Sequence, residues 1–149
     1  MKEAYEALAK NTANFTALTP LSFLQRTADI YGEREAIIYG DRRYSWRQFN
    51  ERCLRMSSSL IALGIEKGDT VAVLAFNTPE MFEAHFFVPM TGAVLNTINT
   101  RLDAETLAYI LEFGEVKALV VDRELLPLTK SALQLTKSNP LLILIDDKT

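Results

Sequence analysis

The chain has 149 residues, 48% of them hydrophobic and 23% charged, which is the make-up of one globular domain and excludes a disordered tail. At this length a fold buries roughly 70% of the surface of its unfolded chain, so one core is feasible without disulfides or a structural metal. Lys and Arg number 16 against 19 Asp and Glu, a formal charge of −3 with both signs scattered, and no basic footprint for nucleic acid appears.

Residues 1–18 open with a short amphipathic piece, Tyr5, Leu8 and Ala9, followed by the polar run Lys10 to Asn14. They read as a loosely attached arm ahead of a domain over 19–149. Thr19-Pro20 starts a helix, since threonine caps free amides and proline at the first helical position loses no needed donor. Leu21, Leu24, Ala28 and Tyr31 recur at helical spacing, and Gly32 is expected to end the helix in a left-handed conformation. Glu35 to Tyr39 reads as a strand, Gly40-Asp41 as a two-residue hairpin turn, and Arg42 to Tyr44 as the returning strand. Ser45 and Gln48 form a capping box for the longest helix, whose stripe of Trp46, Phe49, Cys53, Met56, Leu60 and Leu63 closes at Gly64.

From Thr70 onward, short apolar runs alternate with helical segments, the pattern of strands buried on both faces of a parallel sheet. The runs are Val71 to Phe76, Ala93 to Leu95, Ala118 to Val121 and Leu141 to Ile145. After the first, Asn77 to Glu80 opens a helix that Pro89 kinks or ends. After the second, Asn96 to Arg101 forms a polar loop, and Asp103 caps a helix stapled by Leu102 and Leu107 and ended by Gly114. Leu125, Leu128, Ala132 and Leu135 share one face of a last helix. The expected fold is α/β: an open, mostly parallel sheet flanked by helices and preceded by a helix and a β-hairpin.

Ligands of such sheets gather outside the carboxyl ends of the strands, where this sequence offers Asn77-Thr78, Asn96 to Arg101, Asp122-Arg123 and Asp146-Asp147. Only the second group is rich in side chains that hold anions, and Arg101 brings a guanidinium able to make two parallel bonds to a phosphate. The plainer reading of its asparagines and threonines is helix capping and loop hydrogen bonding. Cys53, inside a helical stripe, reads as a small core residue and not a nucleophile. As the one thiol, with no secretory leader, it suits a reducing cytoplasm. His85, beside Ala84, Phe86 and Phe87, reads as a hydrogen-bonded, partly buried packing residue. Glu80 and Glu83 read as stabilising a helix start and not as a catalytic pair. Met81, Phe82, Phe86 and Phe87 read as core, with an apolar pocket wall as the alternative.

One thiol and one imidazole do not assemble a usual zinc site or a Cys-His-Asn triad within this chain. No G-x-G-x-x-G, G-x-x-x-x-G-K-[ST] or G-x-S-x-G is present, and the longest apolar stretch is broken by Pro89 and Gly92, too short for a transmembrane segment. The fold suggests nucleotide chemistry, yet the phosphate-cradling loops are missing.

A series of segments nevertheless carries a likeness: Tyr44-Ser45-Trp46-Arg47-Gln48-Phe49, Gly64 to Ala72, Asn77-Thr78-Pro79-Glu80, and Gly92 to Asn99. In order and spacing, over roughly residues 19–122, it resembles the opening of the acyl-adenylate-forming (AMP-binding) enzymes, in particular the fatty-acid and aromatic-acid CoA ligases. The resemblance implies a two-step reaction in which a carboxylic acid and Mg-ATP give an acyl-AMP, from which the thiol of CoA displaces AMP. It implies that the family's Ser/Thr/Gly-rich loop, adenine and metal motif, ribose-binding aspartate and C-terminal lysine lie downstream of Thr149. The expected partners are therefore the remainder of the adenylation domain, a C-terminal domain and a small carboxylic acid, and the chain alone is expected to be inactive and to hold neither Mg-ATP nor CoA tightly. A homo-oligomer is compatible with a surface cut in this way. One residue carries over: Asn99-Thr100-Arg101-Leu102 matches a stretch whose arginine reaches the phosphates of the CoA nucleotide, which assigns Arg101 to cofactor binding.

Two other readings stay open. One is a stand-alone flavodoxin-like binding, regulatory or dimerisation module, which would lack the exposed apolar face of a segment cut from a larger enzyme. The other is a phosphoacceptor receiver domain, which wants aspartates clustered at strand ends where Asp29, Asp41 and Asp69 do not fall.

Overall fold

The computed structural model describes Asn11 and residues 15–146. The amphipathic piece at Tyr5, Leu8 and Ala9 and the last aspartate, Asp147, lie outside the described residues. Helix α1 (Pro20–Tyr31) begins at Thr19, whose side chain accepts from the Ser22 amide while the Ser22 hydroxyl answers the Thr19 amide, a complete capping box. Strands β1 (Glu35–Tyr39) and β2 (Arg42–Ser45) pair antiparallel across Gly40, which has φ +55°. Helix α2 (Trp46–Ala62) starts with the expected box: Ser45 accepts from the Gln48 amide at 3.3 Å and the Gln48 side chain from the Ser45 amide at 2.9 Å. Replacing Ser45 with alanine orphans the Gln48 amide and should cost about 1 kcal/mol. In a chain of this size that is a fall in melting temperature of roughly 2–4 °C; no fall would mean that packing alone fixes the start of α2.

The two helix ends marked by glycine are built differently. Gly64 follows α2 with φ +88°, the left-handed conformation that favours glycine. Gly32 instead stays right-handed, with φ −49°. Glycine is required there by close approach, because a Cβ would stand 2.6 Å from the Ala28 carbonyl oxygen and 2.8 Å from the Arg47 guanidinium.

The second half of the chain is the sheet: β3 (Thr70–Leu74), α3 (Pro79–Met90), β4 (Val94–Thr97), α4 (Ala104–Phe113), β5 (Val116–Asp122), a 3-10 turn (Arg123–Leu125), α5 (Leu126–Leu133) and β6 (Leu141–Ile145). All pairings are parallel and the order is β4-β3-β5-β6. The chain steps outward from β3 to β4 through α3 on one face. It returns past β3 through α4 on the other, so both crossovers have the same hand. The strands alternate accordingly. Val71, Val73, Ala118, Val120 and Ile145 meet Phe49, Cys53, Leu60, Ala84, Phe87 and Val88 in one core, while Ala72, Leu74, Leu119 and Val121 meet Leu107, Ala108, Leu111 and Ala132 in a second. Leu102 packs against the second core, of which Leu107 is a member, and Asp103 accepts from the Thr106 amide at 2.7 Å.

Several local expectations fail for tertiary reasons. Only β3 and β5 are buried on both faces; β4 and β6 are the sheet edges, with Val94, Leu141, Leu142 and Leu144 exposed. Asn96 and Thr97 belong to β4 and not to a loop, because they pair beside Ala72 and Val73. The first run stops at Leu74, and Phe76 lies in the open turn beyond it. Leu63 and Leu135 end exposed, past the helices whose stripes they were to join. Pro89 falls in the last turn of α3, which ends one residue later. Among the described residues no helix is long and apolar enough to cross a membrane.

Candidate functional site

The carboxyl ends of β3 and β4 open into a cleft of about 470 Å³ lined by Ala75, Asn77, Met81, His85 and residues 97–100. Three devices shape it. Ile98 donates its amide to the Val73 carbonyl at 2.9 Å, which carries the chain past the end of β4 alongside β3. Asn99 then turns the loop by accepting the Arg101 amide at 2.9 Å. Arg101 stands exposed one residue beyond the lining, and among the described residues its guanidinium makes no hydrogen bond or ion pair. The third wall is α3, from which Met81 and His85 face the loop. His85 is exposed, not partly buried, and its Nδ1 donates to the Met81 carbonyl one turn back at 3.0 Å.

The polar residues after β5 and β6 are used on one another. Asp122 is buried and accepts the Glu124 amide at 2.9 Å, and Arg123 bonds Asp146 at 2.5 Å. Of the four groups at the strand ends, Asn77 and residues 97–100 line this cleft. Thr78, the N-cap of α3, makes no capping bond with its buried side chain.

Glu80 and Glu83 do more than the helix-start role assigns them. They anchor a cluster of four charged side chains on three elements. Arg42 of β2 bonds Glu80, and Arg52 of α2 grips Glu83 through both Nε and a terminal nitrogen, the latter at 3.1 Å. Arg52 also stands 3.6 Å from Glu80, and Tyr44 accepts from Arg42 while the Arg52 guanidinium lies 4.6 Å from its ring centroid. Burial pushes the Glu83 carboxyl above its ordinary value, and Arg52 offsets this incompletely. Burial acts the same way on Glu80, but the Arg42 hydrogen bond, the backbone and Thr78 bring it below the ordinary carboxylate value. Both arginines are raised, chiefly by their carboxylate hydrogen bonds. These pairs span 38 and 31 positions of sequence, and the only local sign of them is the three-residue spacing of Glu80 and Glu83 on one helix face.

Cys53 is fully buried beneath the same cluster, with its Sγ 3.8 Å from the Glu83 carbonyl oxygen. Burial, aided by the Glu83 charge, pushes its thiol up to about 12, so it is a core residue and not a nucleophile. Phe82 and Phe86 ring Phe49, with centroids at 5.1 and 5.3 Å. Among the described residues no group of three His, Cys, Asp or Glu side chains is placed to hold a metal ion.

The fold agrees with what the chain is similar to. A family model described as "AMP-binding enzyme" matches residues 24–149. The peroxisomal butyrate–CoA ligase of Arabidopsis thaliana is 49% identical over 140 residues, which are 91% of this chain and 24% of that protein. The peroxisomal trans-cinnamate:CoA ligase of Petunia hybrida is 47% identical over 95% of this chain and 27% of its own length. Among solved structures, a long-chain-fatty-acid CoA ligase from Rhodopseudomonas palustris is 27% identical, with a TM-score of 0.80 over 89% of this chain and 34% of that one. An anthranilate CoA ligase in complex with anthranoyl-AMP shares the fold with a TM-score of 0.82 over 92% of this chain and 27% of that one, at 24% identity. The chain thus spans about a quarter of the length of the curated relatives it matches. Those relatives are named as peroxisomal and lend no support to a cytoplasmic location. Motif series, parallel sheet and the match over residues 24–149 converge, and the chain belongs to the family of AMP-binding enzymes.

Proposed function

We propose that the chain is the opening segment of an acid–CoA ligase, which joins a carboxylic acid to CoA using ATP, and that the segment alone is inactive. The observation that carries this reading is the set of relatives at 45–49% identity over nearly the whole chain, named as CoA ligases for different acids. Butyrate, trans-cinnamate and benzoate ligases stand at 49%, 47% and 49%. An aliphatic and an aromatic acid are served by equally similar segments, which favours a shared role in architecture and cofactor handling over a choice of acid.

The residues described do not fit Mg-ATP. No acidic cluster is placed for a metal, and the arginines nearest the core are already engaged by carboxylates. We assign the phosphate chemistry to the parts of the longer polypeptide outside this chain. CoA is a better match to one residue: Arg101, a guanidinium with no partner among the described residues, on a loop turned by Asn99 at the strand ends. In the longer polypeptide, Arg101→Ala should raise the half-saturation for CoA roughly tenfold, as expected for one exposed charge-assisted contact to phosphate. Acid-dependent ATP use should stay normal, and an unchanged CoA half-saturation would remove the assignment. The function itself is tested by supplying the longer polypeptide with Mg-ATP, CoA and a panel of aliphatic and aromatic acids. Formation of AMP and an acyl-CoA supports it, and acyl-CoA formed by the short chain alone would contradict the inactivity assigned to the segment.

A further inference from the structure

Helix α1 buries only part of its apolar surface. Leu24 and Ala28 are buried, while Phe23 and Ile30, two turns apart on an adjoining side, are 52% and 56% exposed. Thr27 stands between them, and its hydroxyl donates to the Phe23 carbonyl at 2.7 Å, so it adds no open polar group to the strip. The strip runs about 10 Å along the helix. Beyond it the Tyr31 ring is covered by the Arg34 guanidinium at 4.8 Å. Arg26 flanks the strip, exposed and without an ion pair among the described residues.

Residues 1–10, outside the described part of the chain, carry a matching sequence pattern. Met1, Tyr5 and Leu8 recur at helical spacing with Ala4 beside them, and Lys2, Glu3, Glu6 and Lys10 fall on the other side. A helix this short is marginal in water by itself and is held only by packing its apolar side. Two lysines against two glutamates leave its side chains without net charge, which suits a protein surface better than an anionic lipid one. The end of the segment is tethered beside α1. The Phe15 amide donates to the Asn11 carbonyl at 2.9 Å, which turns the chain, and the stretch from Phe15 to Thr19 spans at most about 14 Å. The Phe23–Ile30 strip is an apolar surface within that reach.

We propose that residues 1–10 fold back as an amphipathic helix antiparallel to α1, with Leu8 against Phe23 and with Met1 and Tyr5 toward Ile30. A short connection between two helices favours this antiparallel arrangement. Glu6, two residues before Leu8, brings the charge opposite to Arg26. Docking covers the exposed side of α1 and gives the short segment the packing that it needs to stay helical. It holds whether or not the ligase reading does.

Cysteine pairs in the polypeptide at its full natural length test it: Leu8→Cys with Phe23→Cys, and Lys10→Cys with Phe23→Cys as the control. Lys10 is nearer to Phe23 in sequence but lies on the charged side of the segment. Under mild oxidation, read by the mass of the joined peptides, the Leu8 pair should close at least about tenfold faster than the Lys10 pair, at a rate independent of protein concentration. Equal rates, or no bond in either pair, overturn the proposal. A bond formed between chains when the single variants are mixed also overturns it, because the occupant is then a second copy. Phe23 is half-exposed, so its replacement leaves the core intact, and the buried Cys53 does not compete. Ile30→Lys, at the far end of the strip, gives a second reading. It should slow closure of the Leu8 pair about tenfold by removing apolar cover, and an unchanged rate contradicts docking along α1.

Discussion

Phe49→Ala should be the most destabilising of the single substitutions considered, lowering unfolding free energy by about 3–5 kcal/mol. Phe49 is fully buried and is the hub of an aromatic cluster. Trp46 stands edge-on at 6.0 Å, Phe86 edge-on at 5.3 Å, and Phe82 stacks at 5.1 Å. Truncation removes the transferred ring, leaves a void between α2 and α3 that helices on a sheet close only in part, and loses ring pairings worth about 0.5–1.5 kcal/mol each. Domains of this kind are stable by about 5–15 kcal/mol in total, so the variant should approach the threshold of folding. Urea titration reads the effect directly: the midpoint should fall with the slope unchanged. A loss under about 1.5 kcal/mol would mean that Phe82 and Phe86 refill the site.

Arg52→Ala comes next, at about 2–3 kcal/mol at neutral pH. Removing one partner of a buried pair typically costs about 3–5 kcal/mol, and the value is reduced here because Arg52 is 34% exposed while Glu83 is 6% exposed. The loss depends on pH in a definite sense. Burial already holds the folded Glu83 carboxyl above its ordinary value, and without Arg52 it rises further. A carboxyl raised on folding binds its proton more tightly in the native state, so stability increases as pH falls from the folded value toward that of the unfolded chain. The deficit of Arg52→Ala should therefore be largest at pH 7 and shrink toward pH 5. Glu80 has the opposite sign, being lowered on folding, and its contribution is lost only below the ordinary carboxylate range. Adding Glu83→Gln to Arg52→Ala should recover part of the stability at pH 7 and flatten the pH dependence. A deficit that stayed constant between pH 7 and 5 would show that Arg52 acts through packing of its stem on Tyr44 and not through its charge.

What the sequence made legible is what neighbouring residues decide. Ser45 and Gln48 find each other because they are three residues apart, as do Asp103 and Thr106. The alternation of apolar runs and helices gave the parallel sheet because burial on two faces leaves no other economical pattern. Strand order was not legible. Nothing local distinguishes Val71-Ala72-Val73, which lies at the centre, from Leu142-Ile143-Leu144, which lies at an edge. The same blindness hid the Arg42–Glu80 and Arg52–Glu83 pairs, whose members meet only when the hairpin, α2 and α3 pack together. Gly32 illustrates a subtler case, since a glycine after a helix reads as left-handed while the structure needs it for room beside Ala28 and Arg47. At the strand ends the sequence named the stretch Asn96 to Arg101, of which residues 97–100 line the cleft, and misplaced its first two residues, which belong to β4.

The central claim, that this chain is the opening part of a larger acid–CoA ligase, meets its most direct test in the intact mass of the polypeptide that its source cell makes, detected with an antibody raised to these residues. The relatives, of which the chain spans about a quarter, set the expected result at about four times 16.8 kDa. A band near 16.8 kDa, with no longer form, would contradict the claim and turn the exposed β6 face into the surface of a short protein that binds something else.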